Sequence, residues 1–190
     1  MPTLTYQPDL YPEDLFDRED LDQRSDQTWW LLYCLSRREK KLMRQLCSLG
    51  VPFYSPLIAK RSRLGSGRIR TSYLPLFSNY VFVYGTTDER RAAQETGCVS
   101  RSFAVPKAEG LTQDLRQIRE LIATGAPIAP EARLQSGMQV VIRSGMLKGV
   151  EGVVIRREGK ARLLVAVKFL EQGASVLLDD CQFERLDSHS

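Results

Sequence analysis

The chain has 190 residues, 43% of them apolar and 26% charged, with a net charge of +4. That is enough for one medium domain or two small ones of ordinary globular composition. The longest apolar run, 29–35, is seven residues, against the ~20 that a membrane helix needs. The four cysteines (Cys34, Cys47, Cys98, Cys181) are scattered and the one histidine is His189, which leaves no zinc-type spacing and no histidine held for acid–base work. No metal or cofactor is expected, and neither a nucleophile–base pair nor a phosphate-binding glycine loop is present. The first residues lack a basic, then apolar, leader, so a cytoplasmic, membrane-free protein with reduced thiols is expected.

Charge is segregated. Residues 1–27 hold eight acids and two bases, residues 28–125 carry +9, and the remainder +1. The acidic tail, 1–27, reads as mostly disordered. Leu10, Leu15, Phe16 and Leu21 can form at most a weak amphipathic turn, which either folds back on the basic block or does nothing. The basic block favours a polyanionic partner; otherwise it is a solvated surface.

In chain order, 29–35 is short, apolar and aromatic, which predicts a buried strand. Ser36-Arg37-Arg38-Glu39 reads as a capping box opening a helix to Leu49, with Gly50 just past its end and Pro52 blocking continuation. An extended segment, 53–59, leads into a hairpin with five bases around a Gly65-Ser66-Gly67 tip. In the strand 80–84, period two sets Tyr80, Phe82 and Tyr84 on one face and the valines on the other. A helix over 86–96, a strand over 99–105 and an amphipathic helix over 111–123 follow. The fold class is α+β: β-α-β-β-α-β with an antiparallel sheet, helices on one face, the other solvated or used.

The stretch 125–134 is expected to be a linker, broken by Pro127 and Pro130, dividing a first domain, 28–124, from a second, 135–187. The second reads as five short strands, 139–143, 150–156, 162–169, 175–178 and 183–186, in a small β-barrel.

Two strings are more specific. Trp-Trp-Leu-Leu-Tyr-Cys at 29–34, followed by a basic helix, and Pro-Leu-Phe-Ser-Asn-Tyr-Val-Phe-Val at 75–83 together resemble the N-terminal (NGN) domain of the NusG family of transcription elongation factors. They are most similar to its specialised antiterminator branch, typified by RfaH, which points to a paralogue rather than the general factor. Residues 137–154 look like a KOW motif, an SH3-like barrel element. The chain departs from the family at Ser78, where a proline is common, and in its acidic N-terminal extension.

The resemblance implies a non-enzymatic, monomeric factor that reduces pausing or termination. It implies docking on the clamp helices of the largest RNA polymerase subunit through Tyr33, Leu76, Phe77, Tyr80 and Phe82. It further implies contact with non-template or upstream DNA through the helix bases Arg37, Arg38, Lys40, Lys41 and Arg44 and the hairpin bases Lys60, Arg61, Arg63, Arg68 and Arg70. In the KOW domain it points to Gly145, Lys148 and Gly149 at a tight turn. Phe169 and Leu170 are either a surface for Rho or a small-subunit ribosomal protein, or barrel core. Gly145, Gly149, Gly152, Gly159 and Gly173 each disfavour helix by ~1 kcal/mol, so this domain is expected to remain strands. The competing reading is an RNA-binding module, RRM-like in its aromatic strand or ribosome-associated through the KOW domain. In either reading the rings matter only if they are not simply core.

Overall fold

The computed structural model describes residues 8–18, 21, 23–178 and 183–186. Cys181, His189 and the first seven residues of the acidic tail lie outside the described residues. Contacts divide the chain into two compact units, 1–108 and 109–190.

The first unit runs β1 (Leu10–Tyr11), a 3₁₀ turn (Leu15–Asp17), β2 (Thr28–Cys34), α1 (Glu39–Leu49), β3 (Phe53–Tyr54), β4 (Leu57–Arg63), β5 (Ile69–Pro75), β6 (Tyr80–Gly85), α2 (Thr87–Glu95) and β7 (Val99–Ala104). Five strands form one sheet in the order β1-β3-β6-β2-β7, every neighbouring pair antiparallel. The β4–β5 pair is a separate two-stranded ribbon. The expected β-α-β-β-α-β order is present, with β1 added at the edge.

The alternation in β6 decides the layering. Val81 and Val83 join Leu32 and Cys34 of β2 beneath Leu42, Met43 and Leu46 of α1 and Ala93 of α2, all fully or almost fully buried. The leucines recur at helical spacing, so one stripe of α1 meets this face. Gly50 ends α1 as expected: its φ of 70° is left-handed, which glycine adopts at no steric cost. The Val51 N–H donates to the Leu46 carbonyl at 3.0 Å, which is Schellman-type closure.

The start of α1 corrects the reading of Ser36-Arg37-Arg38-Glu39. Arg37 takes a left-handed φ of 59°, and the residue that caps the helix is Arg38, without any side-chain cap bond. The capping box lies in α2 instead, where Thr86 and Glu89 bond each other's backbone N–H reciprocally at 3.2 and 2.7 Å. The i, i+3 spacing is the same; what differs is that Glu39 is engaged across the unit.

The acidic tail also differs from expectation. Leu10, Leu15, Phe16 and Leu21 are all buried, and β1 pairs with β3. Composition counted the acids of this segment, but the four apolar side chains find a ready-made aromatic surface on the sheet. They fold back on the basic block, 28–125, but onto its apolar sheet face rather than onto its bases.

The second unit takes α3 (Ala108–Ala123) from Glu109 onward, then β8 (Ile128–Glu131), β9 (Met138–Ile142), β10 (Glu151–Arg157), β11 (Lys160–Val167), a 3₁₀ turn (Lys168–Leu170), β12 (Gln172–Leu177) and β13 (Phe183–Arg185). The six strands form one antiparallel sheet in the order β13-β9-β10-β11-β12-β8. The five expected strands are present and remain strands.

Two boundaries move. The helix assigned to the first domain groups with the second, where the Asp114 carboxylate accepts the Lys168 N–H at 2.9 Å. The expected linker contains β8, whose Pro130 stands opposite Ala174. Proline cannot donate to a ladder, but an edge strand tolerates that. Glu131 secures this edge. Its buried carboxylate accepts the Ser175 hydroxyl at 2.5 Å and the Arg157 guanidinium at 3.2 Å.

Candidate docking face and basic ribbon

Register places the aromatic residues in rows across the sheet face away from the helices. Trp29 stands opposite Tyr84, Leu31 opposite Phe82 and Tyr33 opposite Tyr80. On the other side of β2, Leu31 stands opposite Phe103 and Tyr33 opposite Arg101. Side chains alternate along each strand, so these residues share one face.

Much of that face is covered. Phe16 stacks on Trp29 at 6.0 Å and meets Tyr54 edge-on at 5.2 Å. The Tyr84 hydroxyl donates to the Leu21 carbonyl. Phe77 folds edge-on over Phe82 at 6.1 Å. Three of the five residues expected to form an exposed patch are therefore core: Leu76 is 3%, Phe77 2% and Phe82 0% exposed. Period two identified their face but could not register that the chain's own 8–18 and 76–77 segments and Leu21 would roof it.

What stays open is the Tyr33 end. Tyr33 is 36% exposed, and its ring meets that of half-buried Tyr80 at 5.3 Å, edge to face. Phe103, 44% exposed, is an aromatic residue on the same face that the sequence reading missed. Its only sequence signal was the alternation of β7, which is mute until pairing with β2 fixes the face. Tyr80 is held by the turn before it. Asn79 adopts the left-handed φ of 67° that asparagine tolerates. Its N–H donates to the Glu39 carboxylate at 2.9 Å, and its carbonyl accepts the Cys34 N–H at 2.7 Å.

The expected nucleic-acid residues lie on α1 and on the ribbon. Lys60, Arg61, Arg63, Arg68 and Arg70 are all exposed, and 57–75 contains no acid. Arg61 and Arg63 share one ribbon face with Ile69 and Tyr73; Lys60 and Arg70 share the other. Arg37, Arg38, Lys41 and Arg44 are exposed at the start and along α1. Lys40 is only half-buried, and its ammonium donates to the Tyr73 carbonyl at 2.6 Å. It ties helix to ribbon, bringing the two basic groups together.

In the second unit Gly145 and Gly149 have φ of 79° and 90°, and the Gly149 N–H donates to the Ile142 carbonyl at 2.8 Å. Their role in the turn is geometric. Lys148 is exposed. Phe169 is 38% exposed and Leu170 half-buried in the 3₁₀ turn.

The cysteines are quiet. Burial, then Glu39 and Cys98, push the Cys34 thiol up to about 12, and burial raises Cys47 as well. Among the described residues no group of three or more histidine, cysteine or acidic side chains could hold a metal ion, and no helix is long and apolar enough to cross a membrane.

Residues 27–120 match a family model described as transcription termination factor nusG. The chain carries a domain of the NusG family. No curated protein matches the chain. The NusG segment begins just ahead of β2 and takes in the open aromatic end, α1 and the ribbon; residues 8–21 precede it. NusG proteins are non-enzymatic transcription elongation and antitermination factors that generally bind RNA polymerase.

Proposed function

We propose that this NusG-family protein binds elongating RNA polymerase and reduces pausing or termination, as an operon-specific paralogue. The docking surface is the open end of the aromatic face, Tyr33 and Tyr80, with Phe103 added. Its partner is the pair of clamp helices of the largest subunit. The observation that carries this reading is the Tyr33–Tyr80 ring pair, exposed Tyr33 against half-buried Tyr80, at the open end of a face whose other end is covered. Rigid, partly exposed rings on a sheet are the kind of anchor on which interface energy concentrates. The basic ribbon and α1 then run along non-template or upstream DNA. Bare phosphate contact there adds salt-dependent affinity with little sequence information. Lys148, Phe169 and Leu170 are assigned to a second partner, Rho or a small-subunit ribosomal protein.

Retention of the full chain on immobilised polymerase clamp helices tests the reading. Retention that survives nuclease and falls about thirtyfold or more in Tyr80→Ala supports it; losing a central aromatic anchor costs on the order of 2 kcal/mol. Retention that nuclease abolishes identifies an RNA-binding module instead. Transcription on a pausing template, with and without the protein, then measures the effect on elongation.

A further inference from the structure

The aromatic face is roofed at one end by a segment of this same chain that precedes the NusG match, and the way it is attached says what the roof does. The segment is clamped at both ends. At its start, Leu10 and Tyr11 extend the sheet by pairing with Tyr54 and Phe53, and the Asp9 carbonyl accepts the Ser55 N–H at 2.7 Å. At its finish, the Leu21 carbonyl accepts the Tyr84 hydroxyl. Between the clamps, Phe16 packs against Trp29 and Tyr54, and Leu15 and Phe16 are buried as fully as the helix-side core. A segment that opens readily has few buried apolar contacts; Leu10, Leu15, Phe16 and Leu21 are all buried.

We infer that residues 8–18 and Leu21 are a fixed cover, which stays in place when a partner docks and confines docking to the Tyr33–Tyr80–Phe103 end. The inference rests on the polymerase-docking reading for the partner, but not for the cover. The cover makes the contact area narrow. It permanently withholds Trp29 and Tyr84, which would otherwise continue the row of rings, and so selects a small protruding partner element over a long flat one. Displacing it would expose those rings to water and leave the β3 edge unpaired.

Hydrogen–deuterium exchange on the full chain, with and without RNA polymerase, tests this without any substitution. The expected result is that the Ser55 amide and the amides of residues 15–17 are protected as strongly as the centre of β2, and stay so when polymerase adds protection to β2 and β6 around Tyr33 and Tyr80. Loss of protection over 8–18 on binding would make the cover a displaceable gate and overturn the inference. Should polymerase add no protection anywhere, the docking reading fails. The cover is then judged in the free chain, where exchange over 8–18 as fast as in the ribbon tip sinks it and slow exchange upholds it.

A second readout is the Phe16→Ala chain. A fixed cover predicts lower thermal stability with polymerase affinity within about threefold of the unsubstituted chain, or weaker. Affinity raised tenfold would show that the cover competes with the partner.

Discussion

The Glu39 carboxylate accepts the backbone N–H of Asn79 at 2.9 Å, joining the first residue of α1 to the turn that carries Tyr80. Glu39 is itself buried, at 7% exposure. A buried N–H that loses its acceptor costs ~1–3 kcal/mol. Glu39→Ala is therefore expected to lower unfolding stability by about that amount and to weaken docking through Tyr80. Glu39→Gln, which keeps an acceptor, should recover most of both. Urea melts of the three chains, read beside their polymerase affinities, check the ordering.

The rings of the aromatic face separate into two classes. Phe82→Ala should behave as a core truncation and cost about 3–5 kcal/mol, because Phe82 is fully buried beneath Phe77. Tyr33→Ala and Phe103→Ala, at exposed positions, should leave the melting temperature almost unchanged while reducing polymerase retention. Equal losses of stability across all three would contradict the division into covered and open ends.

Tyr84→Phe removes only the hydroxyl that donates to the Leu21 carbonyl. The loss should be about 1 kcal/mol, and exchange should quicken around residue 21 before it does around Ser55. A change confined to β6, with the cover unaffected, would argue against the clamp.

Asp114 lends the second unit a pH dependence of unusual sign. Burial holds its carboxyl above the ordinary carboxylate range, opposed by the Lys168 N–H and ammonium. The folded chain therefore binds this proton more tightly than the unfolded one. Its contribution to stability is fullest below the ordinary pKa of 3.8 and declines as pH rises from there through the raised folded value. Subtracting the stability–pH profile of Asp114→Asn from that of the native chain should give a difference that falls with rising pH over this window. A difference that rises would mean that Lys168 outweighs burial.

Thiol labelling checks the packing of the first core. With its thiol pushed up to about 12 and its side chain buried, Cys34 should resist iodoacetamide at pH 8 in the native state. The partly exposed Cys47 should react before it. Mass mapping of native and urea-unfolded chains distinguishes the two sites.

Much of this was legible in the sequence. Gly50 marked the end of α1, the valine–aromatic alternation of β6 told which residues travel together, and the turns of the second unit bounded its strands. These are local properties: periodicity and left-handed turns are set by neighbours a few residues apart. The basic ribbon was legible for the same reason, since a hairpin pairs residues close in the chain.

Local pattern determined that one sheet face is aromatic and that the ribbon is basic; tertiary structure decided how much of the face is left to bind anything. Phe16 meeting Trp29 and Tyr54, Phe77 folding over Phe82, and Glu39 reaching Asn79 rather than capping its own helix all depend on segments between 5 and 40 residues apart. Composition weighed the acids of the first residues and missed that four apolar side chains there suffice when a surface of rings is waiting for them. Burial is a property of what meets in space, so the size of the open aromatic end became visible only once the chain had folded over the rest of it.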